Sequence, residues 1–328
     1  MGSLTLSDYA KRLKEFDDFC DRAACPLVSI PDIEKALLEF FDWAYLTGRP
    51  LDAGTKLLAA VGSRWPHLHK SSRGPLLARA RRALQGWARL DPPRTRLPLP
   101  WPVLSGLAVL MIINGLWDFA VLTLLAADAY LRPGELAMLT PDNVVRPRPA
   151  LGPMFQHAAL LLFPFAEGIA SKTHQFDDSV VLDSVGREWL TAGLRLLVAQ
   201  RAPRQALLVG GAPALRLAMS RVARLLGVES WNLSPYVLRH TGPSHDHLSH
   251  LRSLPEIKRR GRWASDTSLR RYEKSSQVTA RLESLPVKTL AFLQLADFEI
   301  PTLIAKQSRP SVELMRRAAS VTGLSLLH

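Results

Sequence analysis

A proline-rich segment divides the chain into two unequal parts and most constrains how it can fold. Residues 91–102 read DPPRTRLPLPWP and contain five prolines. Proline has no backbone N–H and disfavours helix in the residue before it, so we expect an extended linker here. The chain has 328 residues, which is about twice the size of a common domain. We therefore predict one domain at residues 1–93, a linker at 94–101, a second domain at 102–285 and a C-terminal helical tail at 286–328.

The first domain carries apolar residues at helical spacing in four successive segments. This spacing places the apolar side chains of each segment on one helix face, and four such faces can bury one another. The pattern predicts a four-helix bundle with a basic last helix. The apolar positions are Tyr9, Leu13, Phe16 and Cys20; Ile33, Leu37, Phe40, Phe41 and Ala44; Leu57, Leu58 and Val61; and Leu77, Ala80, Leu84 and Trp87.

The second domain opens on a mostly apolar stretch, residues 101–131, that is long enough to suggest a membrane span. Asn114 and Gly115 interrupt it, and it contains Asp118 and Asp128. Asn-Gly is a turn dipeptide, and aspartate is costly in a lipid core. We expect two buried helices joined by a turn, and no membrane partner.

In the rest of the second domain, apolar residues mostly recur at helical spacing, and one segment shows a β pattern. Residues 157–163 and 179–182 read as two strands around the polar segment EGIASKTHQFDD, which places Lys172 near a hairpin tip. Helices are predicted through Leu190, Leu194, Leu197 and Val198, and around residues 214–226, 234–249, 255–261, 266–275 and 287–295. The predicted class is mainly α, with a mixed α+β second domain. Whether the last helix packs in cis or on a neighbouring protomer stays open.

Charge indicates a polyanionic partner. The chain has 42 Lys and Arg against 29 Asp and Glu, a net charge of +13 and a pI of about 10.2. Residues 64–96 hold nine of the bases and one acid, and residues 253–274 hold seven bases and three acids. Clustered guanidinium groups suit phosphate contacts. We expect seven bases to contact duplex DNA: Arg79, Arg82, Arg89, Lys258, Arg259, Arg260 and Arg262.

Cysteine and histidine usage gives no sign of a metal site. Cys20 and Cys25 are the only cysteines, and no Cys/His set has zinc-ligand spacing. The opening residues also lack the continuous apolar run of a secretory signal. We expect a reduced intracellular protein without a metal or a small-molecule cofactor.

Several residues of the second domain have the chemistry needed to cut a phosphodiester. A phenol can attack phosphorus, two arginines can hold the non-bridging oxygens, and a lysine can protonate the leaving 5′ oxygen. Lys172 is the only lysine between Lys70 and Lys258, so the choice of acid is clear. The candidate residues are Arg132, Glu135, Lys172, Arg239, Trp263 and Tyr272.

The sequence motifs around these residues resemble those of one family. Arg132 lies in LRPGEL, Arg239 in SPYVLRHTGPSHD, and Trp263 and Tyr272 in RRGRWASDTSLRRYEK. The chain resembles the tyrosine recombinases of the phage-integrase class, whose pattern is Arg-x-x-Glu, a hairpin lysine, His-x-x-Arg, Gly-x-His/Trp and a late tyrosine. The resemblance spans nearly the whole chain and assigns Glu135 a supporting role.

The resemblance implies a fold, a reaction and partners. The first domain looks like a helical core-binding domain, and residues 102–285 look like the catalytic domain. In this family the two close around duplex DNA, and a homo-tetramer on paired sites exchanges strands through 3′-phosphotyrosine intermediates. The expected function is that of a site-specific DNA recombinase or integrase of mobile-element origin, acting inside the cell on DNA.

One position departs from the family pattern. Tyr236 stands where the family's histidine precedes the second arginine by three residues. A phenol there shares the helix face of Arg239 and can bond a phosphate oxygen, but it is a poor general base at neutral pH. His240 does not replace the histidine, because the next helical residue points about 100° away.

Other functions remain open from the sequence. A catalytically weak descendant would bind DNA without forming a covalent adduct. A type IB topoisomerase would use the same chemistry to relax supercoils as a monomer. A helical scaffold or membrane-associated protein would not bind DNA in a salt-sensitive way.

Overall fold

The computed structural model of the chain describes residues 3–68, 76–91, 97–163, 178–263 and 275–323. The chain divides into two compact units, Met1–Thr95 and Arg96–His328, and the division falls inside the proline-rich segment. The described part is mainly helical, with one small antiparallel sheet. This confirms the predicted mainly α class.

The first unit is built from four helices in its described part. Their apolar faces meet in one core that includes Phe16, Leu37, Phe40, Leu57 and Trp87. The helices lie where the apolar spacing predicts them. They are α1 (Ser3–Ala23), α2 (Ile30–Leu46), α3 (Leu51–Arg64) and α4 (Ala78–Leu90).

The second unit packs its helices around a larger core. Its helices are α5 (Trp101–Ile113), α6 (Trp117–Asp128), α7 (Pro133–Met138), α8 (Glu188–Ala199), α9 (Gly211–Leu225), α10 (Pro235–Leu248), α11 (Leu254–Arg260), α12 (Ser275–Glu283), α13 (Val287–Lys306) and α14 (Val312–Thr322). Its strands are β1 (Val144–Val145), β2 (Ala159–Leu162) and β3 (Asp178–Val181). Helix α7 and helix α12 were not predicted, and the helix predicted at residues 266–275 lies almost entirely outside the described residues.

The apolar stretch at residues 101–131 forms two buried helices, as predicted. Helix α5 ends before Asn114, Gly115 adopts a left-handed backbone with φ of 75°, and α6 begins two residues later. Both helices are buried along most of their length, and apolar residues therefore occur on all of their faces. Among the described helices, none combines the length and apolar character needed to cross a bilayer.

The sheet has one more strand than predicted. Strands β2 and β3 form the expected hairpin, with Leu160 opposite Val180, and β1 pairs with the other edge of β2 through Val144. A strand of two residues is too short to show alternation in a sequence. The polar segment between β2 and β3, which contains Lys172, lies outside the described residues.

The C-terminal helices pack in cis, within the second unit. Leu293 of α13 covers Gly106 of α5, where an added Cβ would lie 2.3 Å from Leu293 Cδ2. The indole nitrogen of Trp117 donates to the carbonyl of Leu303 at 3.1 Å. Helix α13 is therefore part of the core, and the boundary predicted at residue 285 does not separate packing units. Its apolar face is buried by the same chain that carries it.

Helix α10 crosses the end of α6 at a glycine. A Cβ added to Gly242 would lie 1.9 Å from the carbonyl oxygen of Ala127 and 2.8 Å from Cδ1 of Tyr130. Real atoms do not approach so closely, and the nearer obstacle is backbone. The lack of a side chain at Gly242 therefore permits this crossing, which carries Arg239 towards the chain after α6.

We expect Gly242→Ala to lower the free energy of unfolding by about 1–3 kcal/mol or more, the cost of overpacking a rigid core. Thermal unfolding followed by circular dichroism measures it. The matched control is Gly86→Ala in α4, where an added Cβ meets no atom within 4 Å. Alanine favours a helix over glycine by about 0.5–1 kcal/mol, so the control should match or exceed wild type. If Gly242→Ala and wild type had the same melting temperature, the close approach of α10 to Ala127 would be contradicted.

Candidate active site

Arg132 and Glu135 occupy the turn that starts α7. Pro133 takes the first helical position, where its missing N–H costs no hydrogen bond. The Glu135 carboxylate turns back and accepts the backbone N–H of Arg132 at 2.8 Å and its Nη1 as well. Arg132 thus has a defined orientation, and its side chain stays partly exposed.

The buried Glu135 carboxylate collects three guanidinium groups. Besides Arg132, it pairs with Nη2 of Arg262 at 2.7 Å, and Nη1 of Arg239 lies 3.7 Å from it. The two arginines predicted to hold the phosphate, far apart in sequence, therefore share one counter-ion. Three cations around one carboxylate leave net positive charge, which suits an anionic ligand.

Arg239 is held by the backbone around it. Its Nη1 donates to the carbonyl of Tyr130 at 2.5 Å, and its Nη2 donates to the carbonyl of Gly261. Burial and the nearby charge of Arg132 lower the pKa of Arg239 to about 10, so it remains charged at neutral pH. Carbonyl oxygens fix its orientation without neutralising it.

Trp263 packs against Arg239 because the chain turns sharply after α11. Gly261 lies under the indole, where an added Cβ would be 1.8 Å from the ring, and Arg262 has a left-handed φ of 53°. The ring then lies over Arg239, with Cζ of that residue 4.8 Å from the ring centroid. The sequence Gly-Arg-Trp therefore has a local structural meaning: the glycine makes room for the tryptophan.

Tyr236 lies one helical turn before Arg239 on α10. Its ring meets the ring of His240 edge-on, with centroids 5.2 Å apart, and its position three residues before Arg239 puts both side chains on one helix face. The family pattern places a histidine where Tyr236 stands. The structure thus puts the departing residue beside Arg239, as its position in the sequence predicts.

Two predicted residues lie outside the described residues: Lys172, the proposed acid, and Tyr272, the proposed nucleophile. Their functional roles remain predictions from the sequence. The structure brings together the other predicted members, namely Arg132, Glu135, Tyr236, Arg239 and Trp263.

Three predicted DNA-binding arginines share an exposed face of α4: Arg79, Arg82 and Arg89. The opposite face buries Leu84 and Trp87. Within the described residues, none of the three arginines forms an ion pair. The stripe is therefore open to an external anion.

Arg260 and Arg262, which the sequence predicts as DNA contacts, have side chains that pair with carboxylates of their own unit. Arg260 forms ion pairs with Asp183 at 2.9 Å and Asp128 at 3.2 Å, and Arg262 uses its guanidinium on Glu135. Both side chains are largely buried. Arg259 of the same run is exposed, and Lys258 is half-buried. The sequence run KRRGR shows the charge but not which side chains turn inward.

A second buried cluster of ions, missed by sequence reasoning, lies beside the first. Arg187 bridges Asp128 and Asp246, with Nη1 of Arg187 2.7 Å from Asp128. Burial alone would raise the pKa of Asp183, but its bonds to Arg252 and Arg260 hold that pKa below the usual value. The only sign of this cluster in the sequence is one aspartate in each of two predicted helical segments, Asp128 in α6 and Asp246 in α10. In the described part of the chain, no group of His, Cys, Asp and Glu is arranged to hold a metal.

No family model and no curated protein matches this chain.

Proposed function

We propose that this protein is a site-specific DNA recombinase or integrase that cuts and rejoins duplex DNA through a 3′-phosphotyrosine intermediate. The observation that carries the proposal is the meeting of Arg132 and Arg239 on one buried carboxylate, with Trp263 packed on the second arginine. The resemblance named these residues from separate motifs. Their convergence is what a phosphate clamp needs.

The proposed reaction uses the protein's own side chains. The Tyr272 hydroxyl gives its proton to solvent and attacks the scissile phosphorus, and the extra negative charge on the non-bridging oxygens is stabilised by Arg132 and Arg239. The bond to the 5′ oxygen breaks, and Lys172 gives that oxygen its proton. A 5′ hydroxyl, giving its proton back to Lys172, then attacks the phosphotyrosine; this rejoins a strand and releases the Tyr272 oxygen, which takes a proton from solvent. The ester conserves the bond, so no nucleotide cofactor is required.

The first unit supplies general DNA contacts in this proposal, as a core-binding domain. The arginine stripe of α4 meets phosphates, and the site on the second unit acts on one of them. We propose a homo-tetramer on paired sites, an origin in a mobile element, and a location wherever the cell keeps its DNA. These points rest on the resemblance.

Covalent capture tests the proposal. DNA fragments bound by the protein would first be recovered from genomic DNA to define a site. A duplex with a nick just 3′ of each candidate phosphate then lets the released fragment diffuse away, so that adduct accumulates. We expect a protein–DNA adduct that resists denaturation and forms in EDTA. Absence of adduct on every bound sequence would contradict the enzymatic function.

A second candidate is a DNA-binding descendant with weak or no cleavage. Tyr236 favours it, because a phenol beside Arg239 replaces an imidazole that can exchange protons near neutral pH. This candidate predicts salt-sensitive binding without adduct. Tyr236→His separates the two, because it should create or raise cleavage if this position limits the reaction.

Both candidates predict that duplex binding weakens steeply with salt. With several phosphate contacts at about 0.9 per phosphate, the slope of log K against log salt should have a magnitude of at least about 4. Changing Arg79 and Arg82 together to Ala should reduce that magnitude by about 2 and weaken binding to all sequences alike. Fluorescence anisotropy at four salt concentrations would give the slope.

The control for this pair is Lys306→Ala with Arg316→Ala, which removes the same charge from two exposed positions on α13 and α14. It should leave the slope nearly unchanged. Equal slopes for the two double variants would mean that α4 does not contact phosphates. A wild-type slope near zero would exclude DNA as the main partner.

A further inference from the structure

Tyr130 occupies a demanding position between α6 and α7. Its backbone is left-handed, with φ of 53°, and its side chain is completely buried. Residues with a side chain adopt this conformation only when their surroundings hold them there. The residue lies two positions before Arg132, so its backbone sets where α7 begins.

The phenol of Tyr130 is anchored on an ion cluster. Its hydroxyl donates to Oδ2 of Asp246 at 2.5 Å. Asp246 is itself held by Arg187 and by Nε of Arg252, which lies 3.3 Å from the same oxygen. Burial, followed by the charge and hydrogen bond of Asp246, raises the pKa of Tyr130, so the hydroxyl keeps its proton and remains a donor. The anchor is therefore charged, buried and fixed from several sides.

The backbone of Tyr130 points the other way, to the candidate active site. Its carbonyl accepts Nη1 of Arg239 at 2.5 Å. Its ring lies against Trp263, with centroids 6.2 Å apart, and Cζ of Arg260 is 5.4 Å from the ring centroid. One residue thus connects the ion cluster to an arginine of the clamp and to the tryptophan packed upon it.

We propose that Tyr130 is a positioning residue, whose phenol, bonded to Asp246, holds its own carbonyl in place and so orients Arg239 towards the phosphate. The role rests on the proposed function for its effect on catalysis. Without the hydroxyl bond, the left-handed turn loses its anchor and the carbonyl that orients Arg239 gains freedom. Tyr130 itself does not touch the substrate.

Tyr130→Phe removes only the hydroxyl and keeps the ring. We expect adduct formation to slow by about 10- to 100-fold, the range for losing a group that orients a catalytic residue. The variant should still bind DNA. It should also melt above the assay temperature, which would show that it remains folded. The matched control is Tyr45→Phe on α2, an exposed tyrosine of the first unit, which should cleave at the wild-type rate.

The mechanism is tested with a methylphosphonate at the scissile position. This group lacks one charged oxygen, so its transition state depends less on a well-placed arginine. If Tyr130 acts through Arg239, the defect of Tyr130→Phe should shrink to about threefold or less on this substrate. An equal defect on both substrates, or no defect on either, would overturn the proposal.

A second variant and a direct measurement complete the test. Should Tyr130→Phe not fold, Asp246→Asn, which also removes the ion pairs of Asp246 with Arg187 and Arg252, weakens the same bond from the acceptor side and should show the same substrate dependence. In arginine-¹⁵N spectra, the Arg239 guanidinium signal, assigned by its loss in Arg239→Lys, should be protected in wild type and exchange faster in Tyr130→Phe. If wild type forms no adduct, the proposed function fails, and an unchanged Arg239 signal then overturns the positioning role separately.

Discussion

Tyr272→Phe is expected to lose the covalent protein–DNA adduct completely while binding DNA as tightly as wild type. Phenylalanine keeps the aromatic ring and lacks the hydroxyl oxygen that would form the ester, so the loss reports on that oxygen alone. The nicked substrate described above measures adduct on a denaturing gel, and anisotropy measures affinity. Digestion of the wild-type adduct to a peptide should leave nucleotide attached to Tyr272.

Tyr45→Phe serves as the control for the chemical change, because it removes a phenolic hydroxyl from the first unit. It should form adduct normally. Adduct in Tyr272→Phe would show that another residue is the nucleophile, and Tyr236 would be the first to examine because it lies beside Arg239. Loss of DNA binding in Tyr272→Phe would mean that the residue contributes to structure or affinity instead.

Lys172→Ala is expected to slow cleavage by about 10²-fold or more while leaving DNA affinity nearly unchanged. The expectation follows from its place between two strands and from the lack of another lysine nearby in the sequence. The leaving 5′ oxygen is a poor leaving group unless it gains a proton. Single-turnover cleavage of the nicked substrate measures the rate.

Sulfur in place of the bridging 5′ oxygen separates a general acid from a phosphate contact. A thiolate leaves without a proton, so this substrate should restore the rate of Lys172→Ala to within a few fold of wild type. Lys258→Ala, on α11, is the comparison variant. The sulfur substrate should not change its cleavage rate relative to that of wild type. If Lys172→Ala stays equally slow on the sulfur substrate, the general-acid role is wrong.

Local features of the chain could be predicted well from the sequence. The helical segments of the first unit, the turn at Asn114 and Gly115, and the hairpin of β2 and β3 are where the patterns predict them. Each depends on neighbours within a few residues: apolar spacing, turn chemistry, or alternation. The motifs likewise indicate Arg132, Arg239 and Trp263, which lie together in the structure.

The roles of individual charges could not be predicted in this way. Arg259 and Arg260 are adjacent in the sequence, yet one is exposed and the other pairs with Asp128 and Asp183 inside the unit. A run of bases shows how much charge is present. Which base turns inward depends on where distant carboxylates are placed by packing.

The division at the prolines, the mainly helical class and the basic residues of α4 follow from patterns in the sequence alone. Three features become visible only in the folded chain: Glu135 pairs with three arginines, Tyr130 connects Arg239 to Asp246, and α13 packs into the core of its own unit. The physical reason is the distance along the sequence over which each kind of interaction acts. Helix formation and turns are governed by near neighbours, whereas a buried ion pair or a backbone contact forms between segments that meet only after the whole core has packed.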